Sequence, residues 1–258
     1  MSGLFRRKTS GARDGTPLPK CAVVVAAAGA STRMGRDKLF LNLGGAPVLI
    51  HSLRVFDAAR AVSEIVVAVR QEDVQDVSEL VRRYGIKKTV KVVAGGATRP
   101  ESVHNGVMAV SRDAEYIAVH DGARPFVTEK LLMDALDAAV KHHAATAAVP
   151  VVATVKRAEG GVVQETLSRD GLYEIQTPQV FQAELLKAAL TKALEENAPI
   201  TDDCMAVEAL GCPVYITPGS RENIKLTTID DLPLAEAIAA MRGGTPCVSA
   251  TGTTYTAW

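Results

Sequence analysis

From Cys21 onward, short runs of β-branched and small apolar residues alternate with longer stretches whose apolar positions recur at helical spacing. The run Cys21–Ala28 precedes a helical pattern around Pro47–Ala59, and Glu64–Arg70 precedes one over Glu72–Tyr84. Val90–Gly95 then leads into Arg99–Ser111, and Tyr116–Pro125 into Thr128–His143. Strands that read as continuous apolar runs, separated by helices, predict a mostly parallel sheet covered on both faces. With right-handed crossovers this is an α/β fold of the Rossmann-like, doubly wound kind.

The rhythm changes after "TAAVPVV". Residues from about 151 to 180 carry a Gly160–Gly161 turn between two strand-like halves and no helix of ordinary length, which predicts an inserted β-hairpin arm. An arm that cannot bury both faces alone needs a partner surface, so a homodimer is expected. Helices over Gln182–Glu196 and near Asp202–Leu210, a strand over Cys212–Gly219 and a closing helix over Asp230–Met241 complete the pattern. A single domain is expected over 20–242, with Gly/Ser/Thr/Pro-rich tails of low order at 1–19 and 243–258.

Composition narrows the function classes. The 258 residues hold 29 Lys+Arg against 29 Asp+Glu, so no global basic field argues for nucleic acid, and an anionic ligand must be met by a local cluster. The four cysteines form no CxxC pair or zinc-spaced cluster and read as reduced thiols. No apolar run spans a bilayer and the basic N-terminus lacks an apolar core region, so a cytoplasmic protein without membrane partners is expected.

A local cationic cluster stands at the end of the first strand. "VVVAAAGASTRMGRDK" bares small residues and then places Arg33, Arg36 and Lys38 beside them. Ligands of open parallel sheets bind at the carboxyl ends of strands, where small side chains let backbone N–H groups approach a phosphate. The loop has neither a Walker GK[ST] ending nor the three spaced glycines of a dinucleotide fingerprint, which argues against an NAD-dependent oxidoreductase. A second glycine turn, "GGATRPESV", ends another strand with Arg99 and Ser102, and "VHDGARP" ends a third with Asp121. Asp121 is a candidate Mg²⁺ ligand where triphosphate charge is to be neutralised, and a loop carboxylate paired with Arg124 is the alternative.

The motifs "AAAGASTRMG…K", "GGATRPESV", "VHDGARP", "TLSRDGLYEIQTPQVF", "TDD" and "ENIKLT" resemble, in order and approximate spacing, the 2-C-methyl-D-erythritol 4-phosphate cytidylyltransferases of the non-mevalonate isoprenoid pathway. The likeness runs from about Cys21 to Met241. It implies a reaction of CTP with methylerythritol phosphate that releases pyrophosphate, by positioning and charge neutralisation rather than a strong general base. It also implies that Arg33 and Lys38 stabilise charge on the α-phosphate, and that Ala27, Ala28, Gly29, Gly96, Ser102 and Asp121 hold CTP. Thr154, Arg169, Thr177 and Lys225 would hold the polyol phosphate, with Thr154 and Arg169 reaching the neighbouring subunit's site.

Several positions depart from the pattern. Ala30, Ser31 and Thr32 stand where many relatives carry a second glycine and another arginine, Ala97 and Ala153 replace acidic residues, and Arg36 is an alternative to Lys38. A cytidylyltransferase for ribitol 5-phosphate and a non-catalytic nucleotide-sensing dimer are the rival readings. His120 beside Asp121 is expected to pack or hydrogen-bond rather than act as a base. His142 and His143 are expected to close a helix, and Asp202 to begin one near the substrate.

Overall fold

The computed structural model describes residues 18–29 and 38–243. Arg33 and Arg36 therefore lie outside the described residues, as do most of the two tails. The strands are β1 (Cys21–Ala26), β2 (Asn42–Leu43), β3 (Ala46–Pro47), β4 (Val62–Val69), β5 (Thr89–Ala94) and β6 (Tyr116–Asp121). They continue as β7 (Ala144–Pro150), β8 (Lys156–Glu159), β9 (Val162–Thr166), β10 (Tyr173–Gln182) and β11 (Tyr215–Pro218). The helices are α1 (Val48–Ala58), α2 (Val74–Arg83), α3 (Arg99–Met108), α4 (Glu129–His142), α5 (Ala183–Glu195), α6 (Asp203–Glu208) and α7 (Leu232–Met241).

Seven strands make one sheet in the order β11-β7-β10-β6-β1-β4-β5. All neighbours are parallel except β10, which runs antiparallel to both β6 and β7. Alternation along β1 shows why both faces need cover: Val23 and Val25 pack with Leu49, Leu53 and Phe56 of α1 and Leu132 and Leu136 of α4. Ala22 and Val24 pack on the other side with Val103 and Val107 of α3 and Leu186 and Leu190 of α5. This is the doubly wound α/β architecture that the continuous apolar strands predict.

Small residues set how closely α3 lies on the sheet. A Cβ added at Gly106 would stand 2.6 Å from Val24 Cγ1 and 3.5 Å from Ala68 Cβ. Gly106→Ala is expected to destabilise the chain by about 1–2 kcal/mol, overpacking outweighing the gain in helix propensity. The urea unfolding midpoint reads this directly.

The segment expected to be an arm divides in two. Strands β8 and β9 form a separate antiparallel hairpin, exposed along its length, with Gly160 and Gly161 both at positive φ in its turn. By contrast, β10 is exposed at Tyr173–Ile175 but buried from Gln176 to Phe181, where it enters the centre of the sheet. The hairpin is an appendage, and the strand after it belongs to the core.

Helix α4 ends with His143 in the left-handed conformation, its N–H donating to Ala139 O, while His142 stacks on Tyr215 at 3.7 Å between ring centroids. Cys21, Cys204 and Cys212 are free thiols, and burial pushes Cys21 up to about 12. Among the described residues no helix is long and apolar enough to cross a membrane.

Candidate active site

The carboxyl ends of β1, β5 and β6 lie at one edge of the sheet and bound a cavity of about 490 Å³. Ala27, Ala28, Gly29, Gly96, Ser102 and Asp121, the residues expected to hold CTP, all line it. The loop after β5 is built for close backbone approach: a Cβ on Gly96 would stand 2.3 Å from Glu101 Cβ. Thr98 caps α3 by accepting from Glu101 N, and Glu101 Oε2 accepts from Ala97 N at 2.6 Å and Thr98 N at 3.1 Å. Those two N–H groups are engaged, so at Ala97 the carbonyl is the backbone group left for a ligand. Ser102 Oγ accepts from Gly96 N at 3.1 Å and lies 2.8 Å from Thr98 O, which holds the glycine turn against the helix start.

A second cavity of about 540 Å³ lies beside the first, lined by Thr146, Gln176, Thr177 and Gln179 from the sheet and by residues of α6. Arg99, Asp121 and Lys225 line both cavities. They form a charged partition between a chamber of small residues and backbone and a chamber of polar side chains. Of the residues expected to hold the polyol phosphate, Thr177 and Lys225 line this second chamber. Thr154 and Arg169 lie exposed on the segments flanking the hairpin, where Arg169 Nη1 donates to Val152 O. Neither lines the two chambers. Lys38 opens the short 3₁₀ turn Lys38–Phe40, where the described residues resume, and the adjacent Leu39 lines the first chamber.

The electrostatics of the partition centre on Asp121. Lys225 Nζ stands 2.9 Å from Asp121 Oδ2, Arg124 Nε 3.5 Å from the same oxygen, and Arg99 Nε 3.5 Å from Oδ1. Burial alone would raise its carboxyl, but Lys225, Arg99 and Arg124 together hold it well below the usual carboxylate range. Asp121 is thus an anion at neutral pH, with cations on both oxygens.

That arrangement does not fit a resident metal ion. Its charge is already met, and among the described residues no group of three His, Cys, Asp or Glu side chains comes together to complete a coordination shell.

Arg99 is held from behind. Its guanidinium donates to both oxygens of Asp203, at 3.2 and 2.9 Å, and the Asp203 side chain is fully buried. Burial works against both charges and raises Asp203 above the usual carboxylate value, while the Asp203 carboxylate, with Asp121 and Asp202, raises Arg99; the two-pronged geometry is that of a charge-assisted pair. Gln179 ties the same corner, donating to Asp202 Oδ2 at 2.9 Å and accepting from Asp203 N at 3.2 Å, while Asp202 caps α6 by accepting from Met205 N. Asp202 lines the second chamber, whereas Asp203, the buried anchor, was legible only as part of a helix start.

His120 is fully buried with its ring edge on Phe56, 5.1 Å between centroids, and burial lowers it to about 4. Its nitrogens contact Arg124 O and Thr177 Oγ1, both at 3.0 Å. This is the packing and hydrogen-bonding role expected of it, and it is neutral at physiological pH.

A doubly wound sheet whose strand ends gather bare backbone and a cationic partition between two chambers defines a nucleotide-binding transferase. The model of the IspD family, 2-C-methyl-D-erythritol 4-phosphate cytidylyltransferase, matches residues 21–241. The chain is 46% identical over 221 residues to the 2-C-methyl-D-erythritol 4-phosphate cytidylyltransferase of Halalkalibacterium halodurans, covering 85% of this chain and 96% of the relative. It is 44% identical to that of Bacillus cereus, over 83% of this chain and 96% of the relative. Among solved structures it superposes on the 4-diphosphocytidyl-2C-methyl-D-erythritol synthase of Anaerococcus prevotii with a TM-score of 0.76 at 30% identity, over 86% and 98% of the two chains. The cytidylyltransferase of Thermus thermophilus gives 0.72 at 34%, over 84% and 98%. The chain belongs to the IspD family of cytidylyltransferases.

Proposed function

We propose that this chain joins CTP to 2-C-methyl-D-erythritol 4-phosphate, releasing pyrophosphate and forming 4-diphosphocytidyl-2-C-methyl-D-erythritol for isoprenoid precursor synthesis. The observation that carries the reading is the shared partition of Arg99, Asp121 and Lys225 between the two chambers. Two anionic substrates must meet at one phosphorus, and a cationic wall between a nucleotide chamber and a polyol chamber is where their phosphates would face each other.

A phosphate oxygen of the polyol substrate attacks the α-phosphorus of CTP, forming one P–O bond as the bond to the β-phosphate bridging oxygen breaks. The nucleophile is already ionised at neutral pH, so no side chain has to remove a proton. The protein's part is to orient the reactants and to balance charge that shifts toward the leaving pyrophosphate. Lys225 grips the polyol phosphate, Arg33 and Lys38 meet the α-phosphate, and the backbone of 27–29 and 96 seats the nucleotide. Mg²⁺ accompanying the triphosphate would supply further charge neutralisation, with Asp121 the acidic side chain that lines that chamber.

The hairpin supports a homodimeric reading. It exposes Val162 and Val163, with Val152, Tyr173 and Ile175 exposed along its root. Covering that surface with a second copy would bring Thr154 and Arg169 to the partner's polyol chamber and complete a grip that one subunit lacks. Both substrates are water-soluble anions, which suits a cytoplasmic enzyme.

The test is pyrophosphate release from CTP and Mg²⁺ with methylerythritol phosphate or ribitol 5-phosphate in parallel. Release only with methylerythritol phosphate, reduced about a hundredfold or more by Arg33→Ala and by Lys38→Ala, is the expected outcome. Preference for ribitol 5-phosphate would overturn the substrate, and CTP binding without release would turn the chain into a nucleotide sensor.

A further inference from the structure

Four residues from three separate segments close a ring of hydrogen bonds behind the polyol chamber. His120 Nε2 lies 3.0 Å from Arg124 O, and Arg124 Nη1 donates to Asn223 O at 2.7 Å. Asn223 Nδ2 donates to Thr177 O at 2.8 Å, and Thr177 Oγ1 lies 3.0 Å from His120 Nδ1.

The direction of this ring is forced. Three of its acceptors are carbonyl oxygens, which cannot donate, so Arg124 and Asn223 donate through side-chain N–H groups and His120 must carry a proton on Nε2. His120 is fully buried with its ring edge on Phe56, and desolvation there outweighs the neighbouring Asp121 carboxylate, so a second proton is disfavoured. Nδ1 is therefore bare and accepts, and the one proton of the Thr177 hydroxyl goes to it. The oxygen also accepts from Asp121 N at 3.1 Å. One lone pair remains on Thr177 Oγ1, and no proton.

We propose that His120 is a positioning residue which, by taking the only hydroxyl proton of Thr177, makes Thr177 an obligate acceptor that reads a hydroxyl of the polyol substrate and not its phosphate. A phosphate oxygen has no proton to give to a bare lone pair, whereas a polyol hydroxyl has one. The same ring ties together the end of β6, the middle of β10 and the segment carrying Lys225, so the cation for the phosphate and the acceptor for the hydroxyl are held at a fixed separation. The substrate assignment rests on the function proposed above, whereas the proton assignment is independent of it.

Two experiments test the two halves. Long-range ¹⁵N–¹H correlation spectra of the unliganded wild-type chain at neutral pH are expected to show His120 as the neutral Nε2–H tautomer. A proton on Nδ1, or an imidazolium, would overturn the proposal whatever the enzyme turns over. In steady-state kinetics, His120→Gln keeps a donor near the Nε2 position but removes the acceptor for Thr177. It is expected to raise KM for the polyol phosphate about tenfold while KM for CTP moves less than about twofold. Thr177→Val should match it, Thr177→Ser should restore most of the loss, and His120→Asn, which keeps an acceptor near Nδ1, should lose less than His120→Gln. Equal rises in both KM values, or a Thr177→Val enzyme with unchanged KM, would overturn the hydroxyl-reading role. A wild-type chain that fails to turn over methylerythritol phosphate would instead remove the function reading and leave the tautomer result standing.

Discussion

Asp203→Ala is expected to lower the free energy of unfolding by about 3 kcal/mol, the cost of leaving a buried charge without its partner. The carboxylate is completely buried and meets Arg99 through both oxygens, so its removal strips the guanidinium of two charge-assisted hydrogen bonds at once. Arg99 keeps its contact with Asp121 at 3.5 Å and a side chain 29% exposed, which sets the figure at the lower end of the usual range for broken buried pairs. Chemical denaturation of Asp203→Ala, Arg99→Met and the double variant measures the coupling. The double variant should lose less than the sum of the singles, because no unpaired charge remains. Additive losses would mean that the pair is not coupled.

Lys225→Met should do the opposite, lowering kcat/KM about a hundredfold to a thousandfold while changing stability by less than about 1 kcal/mol. Its side chain is 37% exposed, and Asp121 keeps Arg99 and Arg124 at 3.5 Å when it is gone, so little folding energy is at stake. For the reaction the loss is large, because the lysine lines both chambers where two phosphates must be brought together against their repulsion. Activity and unfolding curves on the same preparation check both halves. A large stability loss with modest kinetic change would show that Lys225 serves the fold rather than the ligand.

How much of this was legible in the sequence depends on whether the signal was local. The strand-and-helix alternation is local, and so is the placement of small residues at strand ends. The six residues expected to hold the nucleotide, Ala27, Ala28, Gly29, Gly96, Ser102 and Asp121, accordingly share one chamber. The course of β10 is not local. "YEIQTPQVF" reads as a continuation of the hairpin because nothing in its own pattern says that Gln176 onward enters the core between β6 and β7. The polar residues Gln176, Thr177 and Gln179 in an otherwise apolar strand were the available clue, since buried polar groups require partners. Arg99 and Asp203 are 104 positions apart and each sits at a plausible helix start, so their pairing could only emerge in three dimensions. Asn223 gave no sign of its place in the ring.

The strand order also fixes when the site can exist. Strands β5, β4, β1 and β6 are contiguous in the sheet and complete once the chain reaches Asp121, but β7, the next strand in sequence, pairs among the described strands with β10 and β11 alone. It cannot join until β10, beginning at Tyr173, has been laid against β6. The sheet therefore has a seam between an early half and a late half. Asp121 stands on the early side, and Thr177, Asn223 and Lys225 arrive with the late one. A ribosome-bound chain that stops short of the seam carries the nucleotide-side loops with no polyol chamber beside them, so competence for both substrates is acquired only as the last strands close.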